Sequence, residues 1–212
     1  ATLNANRYQP GWFFLPILLL GFLPWTGNLL QGLRDGLAAL RNLGADRRLR
    51  EDDEAPAGPG EEALFLLLWA GVVLLFFSVS KSKLVPYILP VFPPLGVLAG
   101  TALDRILADQ DRRRLLWGLA GNGAVCLLLG ATLLLYPHHQ DRFAPEVLAP
   151  VSLPLAAVLG ALGILPFLAG LRRKIGGAVL LLCLGSLAMG ITFKGLFDFY
   201  GQIRSAKGVA AI

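Results

Sequence analysis

Two lysines, three serines and a tyrosine crowd into ten residues, Ser78-Val79-Ser80-Lys81-Ser82-Lys83-Leu84-Val85-Pro86-Tyr87. Apolar sequence flanks them on both sides, so the cluster falls where a hydrocarbon layer would meet water. Cations and hydroxyl donors at that depth suit the phosphate of a lipid-linked molecule. The same residues also fit a plainer role, with snorkelling lysines and an interfacial tyrosine that only anchor the chain. Pro86, Pro90, Pro93 and Pro94 follow closely. Prolines donate no backbone hydrogen bond, so they loosen the helical ladder there and hold its mouth open. A second constellation is Arg7-Tyr8-Gln9-Pro10-Gly11-Trp12-Phe13-Phe14. Arg7 stands just outside an aromatic-rich helix start and has the planar fork that grips two phosphate oxygens. It fits a topology anchor equally well.

Other reactive types are sparse. His138-His139-Gln140-Asp141 is the only histidine cluster. Adjacent histidines project apart and lack a partner at i+4, so they read as a solvated loop rather than a metal site. Asp198 sits among Phe197, Phe199 and Tyr200, four residues from Lys194, and reads as an interfacial acid. Cys126 and Cys183 lie in apolar runs, with no CxxC spacing or disulfide framework. No GxxxxGK[ST], HExxH or GxSxG pattern occurs, so nothing suggests an ATPase, a zinc protease or an α/β-hydrolase.

The elements that must position these residues are unusually apolar. Of 212 residues, 55% are hydrophobic and only 16% charged; a soluble domain carries about a quarter charged residues. Soluble enzymes, disordered tails and secreted disulfide scaffolds are thereby excluded. The net charge of +5 reflects loop topology rather than nucleic-acid binding. Six runs lack internal charge: Trp12 to about Leu33, Ala63–Ser80, Leu84–Leu103, Leu115 to about Pro137, about Val147 to Leu171, and Ile175–Phe193. Each approaches the length that crosses a bilayer core as a helix, roughly 20 residues, and none shows the alternation of barrel strands. The expected fold class is therefore all-α, a polytopic membrane helical bundle of about six spans. Only Lys81-Ser82-Lys83 separates the second and third runs, which predicts a tight helical hairpin.

Loop charges set the expected orientation. Twelve Lys or Arg fall in loops on one side: Arg34, Arg41, Arg47, Arg48, Arg50, Arg105, Arg112 to Arg114, Arg172, Arg173 and Lys174. The opposite loops hold Lys81, Lys83 and Arg142. The richer side is expected in the cytoplasm. Residues 1–11 are then an extracytoplasmic loop, 12–195 a six-helix membrane region with a cytoplasmic loop at 34–62, and 196–212 the start of an extracytoplasmic segment. The outside start, with no signal-peptide pattern, is expected of a piece of a longer protein.

At these residues the chain resembles a known family, the polyprenyl-phosphate-sugar-dependent glycosyltransferases of the GT-C fold. The branch most similar is the bacterial 4-amino-4-deoxy-L-arabinose (lipid A) transferases, related to protein O-mannosyltransferases. Three stretches carry the likeness: RYQPGWFFLPILLLGFLPW from Arg7, FFSVSKSKLVPYILPVFPPLGVLAG within Leu66–Gly100, and residues 192–212. The family often has Lys-Leu-Pro-x-Tyr where this chain has Lys83-Leu84-Val85-Pro86-Tyr87, which bears on where the helix bends. The resemblance implies the membrane part of an enzyme in the bacterial inner membrane with its active face outside the cytoplasm. It implies transfer of a sugar from undecaprenyl phosphate to lipid A or another lipid or protein acceptor. Membrane lipids are expected partners and nucleic acid is not. The family's acidic catalytic residue belongs to an outer loop that this chain does not include. An arginine near the carrier phosphate corresponds best to Arg7. Lys81, Lys83 and Tyr87 at the same mouth complete the expected phosphate site. No cofactor is expected, and whether a divalent metal assists is left open. The alternatives are a transporter or flippase piece and a non-catalytic membrane subunit. A transporter would show midplane polar groups and inverted repeats, and neither is evident.

Overall fold

In hydrocarbon every backbone N–H and C=O must find its partner within the protein. The computed structural model meets that demand with helices, and no strand occurs among the described residues. It describes residues 10–49, 58–80, 83–135 and 145–209, with side chains for 10–42, 58–80, 83–135, 152–192 and Lys194. A 3-10 turn, Gly11–Phe13, leads into α1 (Phe14–Gly21) and α2 (Thr26–Leu49). Next come α3 (Pro59–Val79), a 3-10 segment (Val85–Val91) and α4 (Phe92–Ala108). The rest is α5 (Arg112–Leu135), α6 (Pro145–Leu171) and α7 (Ile175–Val209). Among the described residues five helices are long and apolar enough to cross a membrane, and six spans result if α1 and α2 count as one bent pair. The chain is a multi-pass membrane protein.

That bent pair departs from the single span expected over Trp12–Leu33. The axis turns by 116° between the two helices. Pro24 supplies no N–H at the break and disfavours helix at the residue before it. The Leu23–Pro24 peptide is cis. Thr26, almost fully buried, donates from Oγ1 to the Leu19 carbonyl at 2.9 Å, so an α1 carbonyl exposed by the break keeps a partner. The last run also differs, because α7 does not stop near Phe193 but continues to Val209.

The chain divides into two units, Ala1–Asp111 and Arg112–Ile212. In the first, α2, α3 and α4 pack together, and the 3-10 segment lies against α3. Phe14, Leu18, Ile88, Val91 and Leu95 form its buried centre. Phe22 stacks on Phe92 at 5.1 Å with nearly parallel rings. Gly32 is required where α2 meets α4, because a Cβ there would collide with the Leu98 carbonyl. α3 presents a stripe of exposed apolar residues along one face, including Phe65, Leu68, Val72, Leu75 and Phe76. A soluble helix would bury such a surface. In the second unit, α5 packs on α6 and α6 on α7. A Cβ on Gly123 would stand 2.9 Å from the Gly163 carbonyl, so α5 and α6 approach as closely as small residues allow.

Candidate functional site

The connecting end of the α3–α4 hairpin is built by an interrupted backbone. α3 stops at Val79 and Ser80 turns extended, with ψ at 138°. After Leu84 the chain winds as a 3-10 helix rather than an α-helix through Val85–Val91. The prolines explain this. Pro86 falls at its start, where a missing donor costs little, and Pro90 lies inside it. Pro93 and Pro94 then occupy the opening turn of α4, the position an α-helix tolerates best. The one-residue shift from the Lys-Leu-Pro-x-Tyr pattern thus coincides with a 3-10 start at Val85.

Lys83 does not reach outward as a snorkelling anchor. It is only 7% exposed, and its Nζ donates to the Ser80 carbonyl at 2.8 Å. A cation there complements the carbonyl-rich end of α3. Burying an ammonium is costly unless it is hydrogen-bonded, so this arrangement fixes a positive charge at a defined depth. Tyr87 lies one turn on and is about a third exposed. Its ring stacks on Phe77, centroids 5.2 Å apart, and Phe77 meets Phe76 edge-on. Lys83 and Tyr87 therefore belong to one end of the hairpin, on an aromatic floor.

Arg7 and Lys81 lie outside the described residues, as do His138, His139, Asp141 and Arg142; the side chain of Asp198 is likewise not described. The described chain begins at Pro10. Phe13 and Phe14 join the hydrophobic cluster that contains Ile88, Val91 and Phe77. The aromatic start of α1 and the hairpin end thus share one core. Among the described residues no group of three His, Cys, Asp or Glu could hold a metal ion.

Some polar contacts were not foreseen. Arg112, counted only as a topology charge, donates from Nη2 to the Leu171 carbonyl at 2.8 Å and from Nε to Gly170 at 3.3 Å. Arg105 pairs with Asp35 at 3.8 Å. Asn122 is buried in α5, with the Cys126 thiol 4.0 Å from its Oδ1. Apart from the polar letters inside an apolar run, nothing in the sequence marks Asn122.

With this geometry in view, comparison with known proteins is informative. No family model matches. An undecaprenyl phosphate-α-4-amino-4-deoxy-L-arabinose arabinosyl transferase from Aeromonas salmonicida is 41% identical over 139 residues, 64% of this chain and 22% of that protein. The transferase of the same name from Edwardsiella ictaluri is 31% identical over 172 residues, 76% of this chain and 28% of that protein. The resemblance to the aminoarabinose transferases holds. The fold agrees as well. The crystal structure of ArnT from Cupriavidus metallidurans bound to undecaprenyl phosphate matches 89% of this chain and 30% of its own, with a TM-score of 0.60 and 26% identity. Its apo form matches with a TM-score of 0.54. The chain therefore spans less than a third of the length of these relatives, and its likeness to the aminoarabinose transferases is to one membrane segment of them.

Proposed function

We propose that this chain is a membrane segment of a glycosyltransferase that moves 4-amino-4-deoxy-L-arabinose from undecaprenyl phosphate to lipid A. The observation that carries the reading is the match of 89% of the chain to a transferase structure bound to undecaprenyl phosphate. The buried Lys83 and the proline-interrupted hairpin end give that reading a chemical basis. The protein lies in the bacterial inner membrane, with the hairpin end facing away from the cytoplasm. Arg7, Lys81 and Lys83 hold the carrier phosphate, and Tyr87 donates a hydroxyl at its edge. In the reaction the bond between the anomeric carbon and the phosphate oxygen breaks. The acceptor oxygen bonds to that carbon, and its proton passes to a carboxylate outside this chain. Phosphate leaves with both bonding electrons, and the cations stabilise the charge that develops on it.

The test is transfer by the full-length protein that contains this chain, purified and given undecaprenyl phosphate-linked aminoarabinose and lipid A. Product should appear by mass spectrometry, and it should fall sharply in Lys83→Ala at equal protein level. Wild-type turnover in both Lys83→Ala and Arg7→Lys would reduce these residues to anchors. Absence of transfer by active, folded protein would remove the assignment.

A further inference from the structure

At the opposite end of the sequence's charge pattern, the second unit contains a groove that the transfer reaction does not use. It has a volume of about 520 Å³ and is lined by Arg112, Arg113, Leu116, Trp117, Ala120 and Phe167. The floor is apolar. The cations lie at one end, where α5 begins and α6 finishes. Because both helices are membrane spans, that end falls at a bilayer surface. Trp117 is 66% exposed one turn further in, at the level where indoles favour the headgroup boundary.

The electrostatics of this end are one-sided. Arg112, Arg113 and Arg114 open α5, at the end of a helix that already carries partial positive charge. Arg172, Arg173 and Lys174 follow α6 directly and are exposed. Arg173 holds the left-handed position of the α6 cap, with φ at 58°, and its N–H bonds to the Gly170 carbonyl at 3.1 Å. The Arg112 guanidinium is taken up by the last α6 carbonyls, which braces the groove wall. Asp109 and Asp111 just upstream in the chain are too few to balance six cations.

We propose that this groove binds an anionic phospholipid of the surrounding membrane. The headgroup phosphate rests on Arg113 and the helix start, and an acyl chain runs along Trp117, Leu116 and Phe167. The occupant is set by charge and shape together. A basic mouth between membrane helices selects an acidic headgroup, and an apolar floor selects the chain attached to it. A free anion would gain nothing from the floor, and a zwitterionic lipid would bring its own cation to the mouth. The inference is independent of the transferase reading.

Brominated lipids test it through Trp117 in the full chain reconstituted in phosphatidylcholine vesicles. At equal mole fraction, brominated phosphatidylglycerol should quench at least about twice as strongly as brominated phosphatidylcholine. Trp117→Phe should remove the excess, and Arg113→Gln should abolish the preference while quenching by phosphatidylcholine persists. High salt should also reduce the preference. Retention of phosphatidylglycerol on the detergent-solubilised protein, read by native mass spectrometry, should fall about tenfold in Arg113→Gln. Equal quenching by the two lipids overturns the proposal, as does a preference that survives Arg113→Gln. Quenching that Trp117→Phe leaves unchanged for both lipids would mean that protein covers the groove, which equally overturns it.

Discussion

The α3–α4 and α5–α6 hairpins are made from nearly the same letters and solve different problems. Both put two apolar helices side by side within one unit. In α5–α6 both helices run unbroken, even through Pro150, Pro154 and Pro166 of α6, and Gly123 and Gly163 bring them into close contact. In α3–α4 the ladder breaks after Val79 and continues as a 3-10 helix, with Lys83 folded into the gap. Close glycine contact fills the α5–α6 seam, and the room for a ligand on that pair lies at its basic end. An interrupted helix leaves carbonyls that need donors, and Lys83 meets the one at Ser80. The broken hairpin thus holds a buried lysine, whereas the glycine-packed pair carries Arg113, Arg172, Arg173 and Lys174 exposed at one end.

The largest effect should come from crowding a close approach. Gly32→Leu should destabilise the first unit by about 3 kcal/mol, because the Leu98 backbone cannot yield. Gly71→Leu should be nearly neutral, since nothing stands within 4 Å of a Cβ there. Thermal unfolding in detergent separates the two, and equal losses would overturn the contact argument, since Gly→Leu improves helix propensity at both sites.

Next is Lys83→Ala in the full-length enzyme, expected to slow transfer roughly ten- to a hundredfold, or about 1.5–3 kcal/mol. Arg41→Ala, exposed on α2, should leave the rate unchanged. A folded Lys83→Ala protein with full activity would mean that the lysine only caps α3.

A smaller change tests the bend. Thr26→Val removes the donor to the Leu19 carbonyl and should cost about 1 kcal/mol in stability. An unchanged unfolding midpoint would show that the carbonyl finds another partner. The smallest effect concerns Arg105, half-exposed, and Asp35, 20% exposed, at 3.8 Å. A double-mutant cycle should give a coupling below about 1 kcal/mol. A coupling of several kcal/mol would mark the pair as part of a buried network instead.

Much of this was legible in the sequence. Uncharged runs announced the spans, because a charge in hydrocarbon is expensive and its absence over some twenty residues is conspicuous. The SKSKLVPYILP stretch announced the hairpin end, because prolines and cations at an apolar edge are rare. The break at Pro24 was written in the chain but reads as ordinary within a hydrophobic run, since hydropathy averages over direction. Neither the length of α7 nor the burial of Asn122 had a local signal.

By itself the sequence determined that this is a membrane helix bundle, where its spans lie and which end holds the candidate chemistry. Those properties follow from local composition, and composition is additive along the chain. Only the tertiary structure decided that the first run turns by 116°, that Lys83 folds back onto Ser80 and that Arg112 braces the end of α6. Each depends on which carbonyls lose their helical partner and which donor lies nearest in space. That pairing is a property of three-dimensional proximity, which no window of sequence contains.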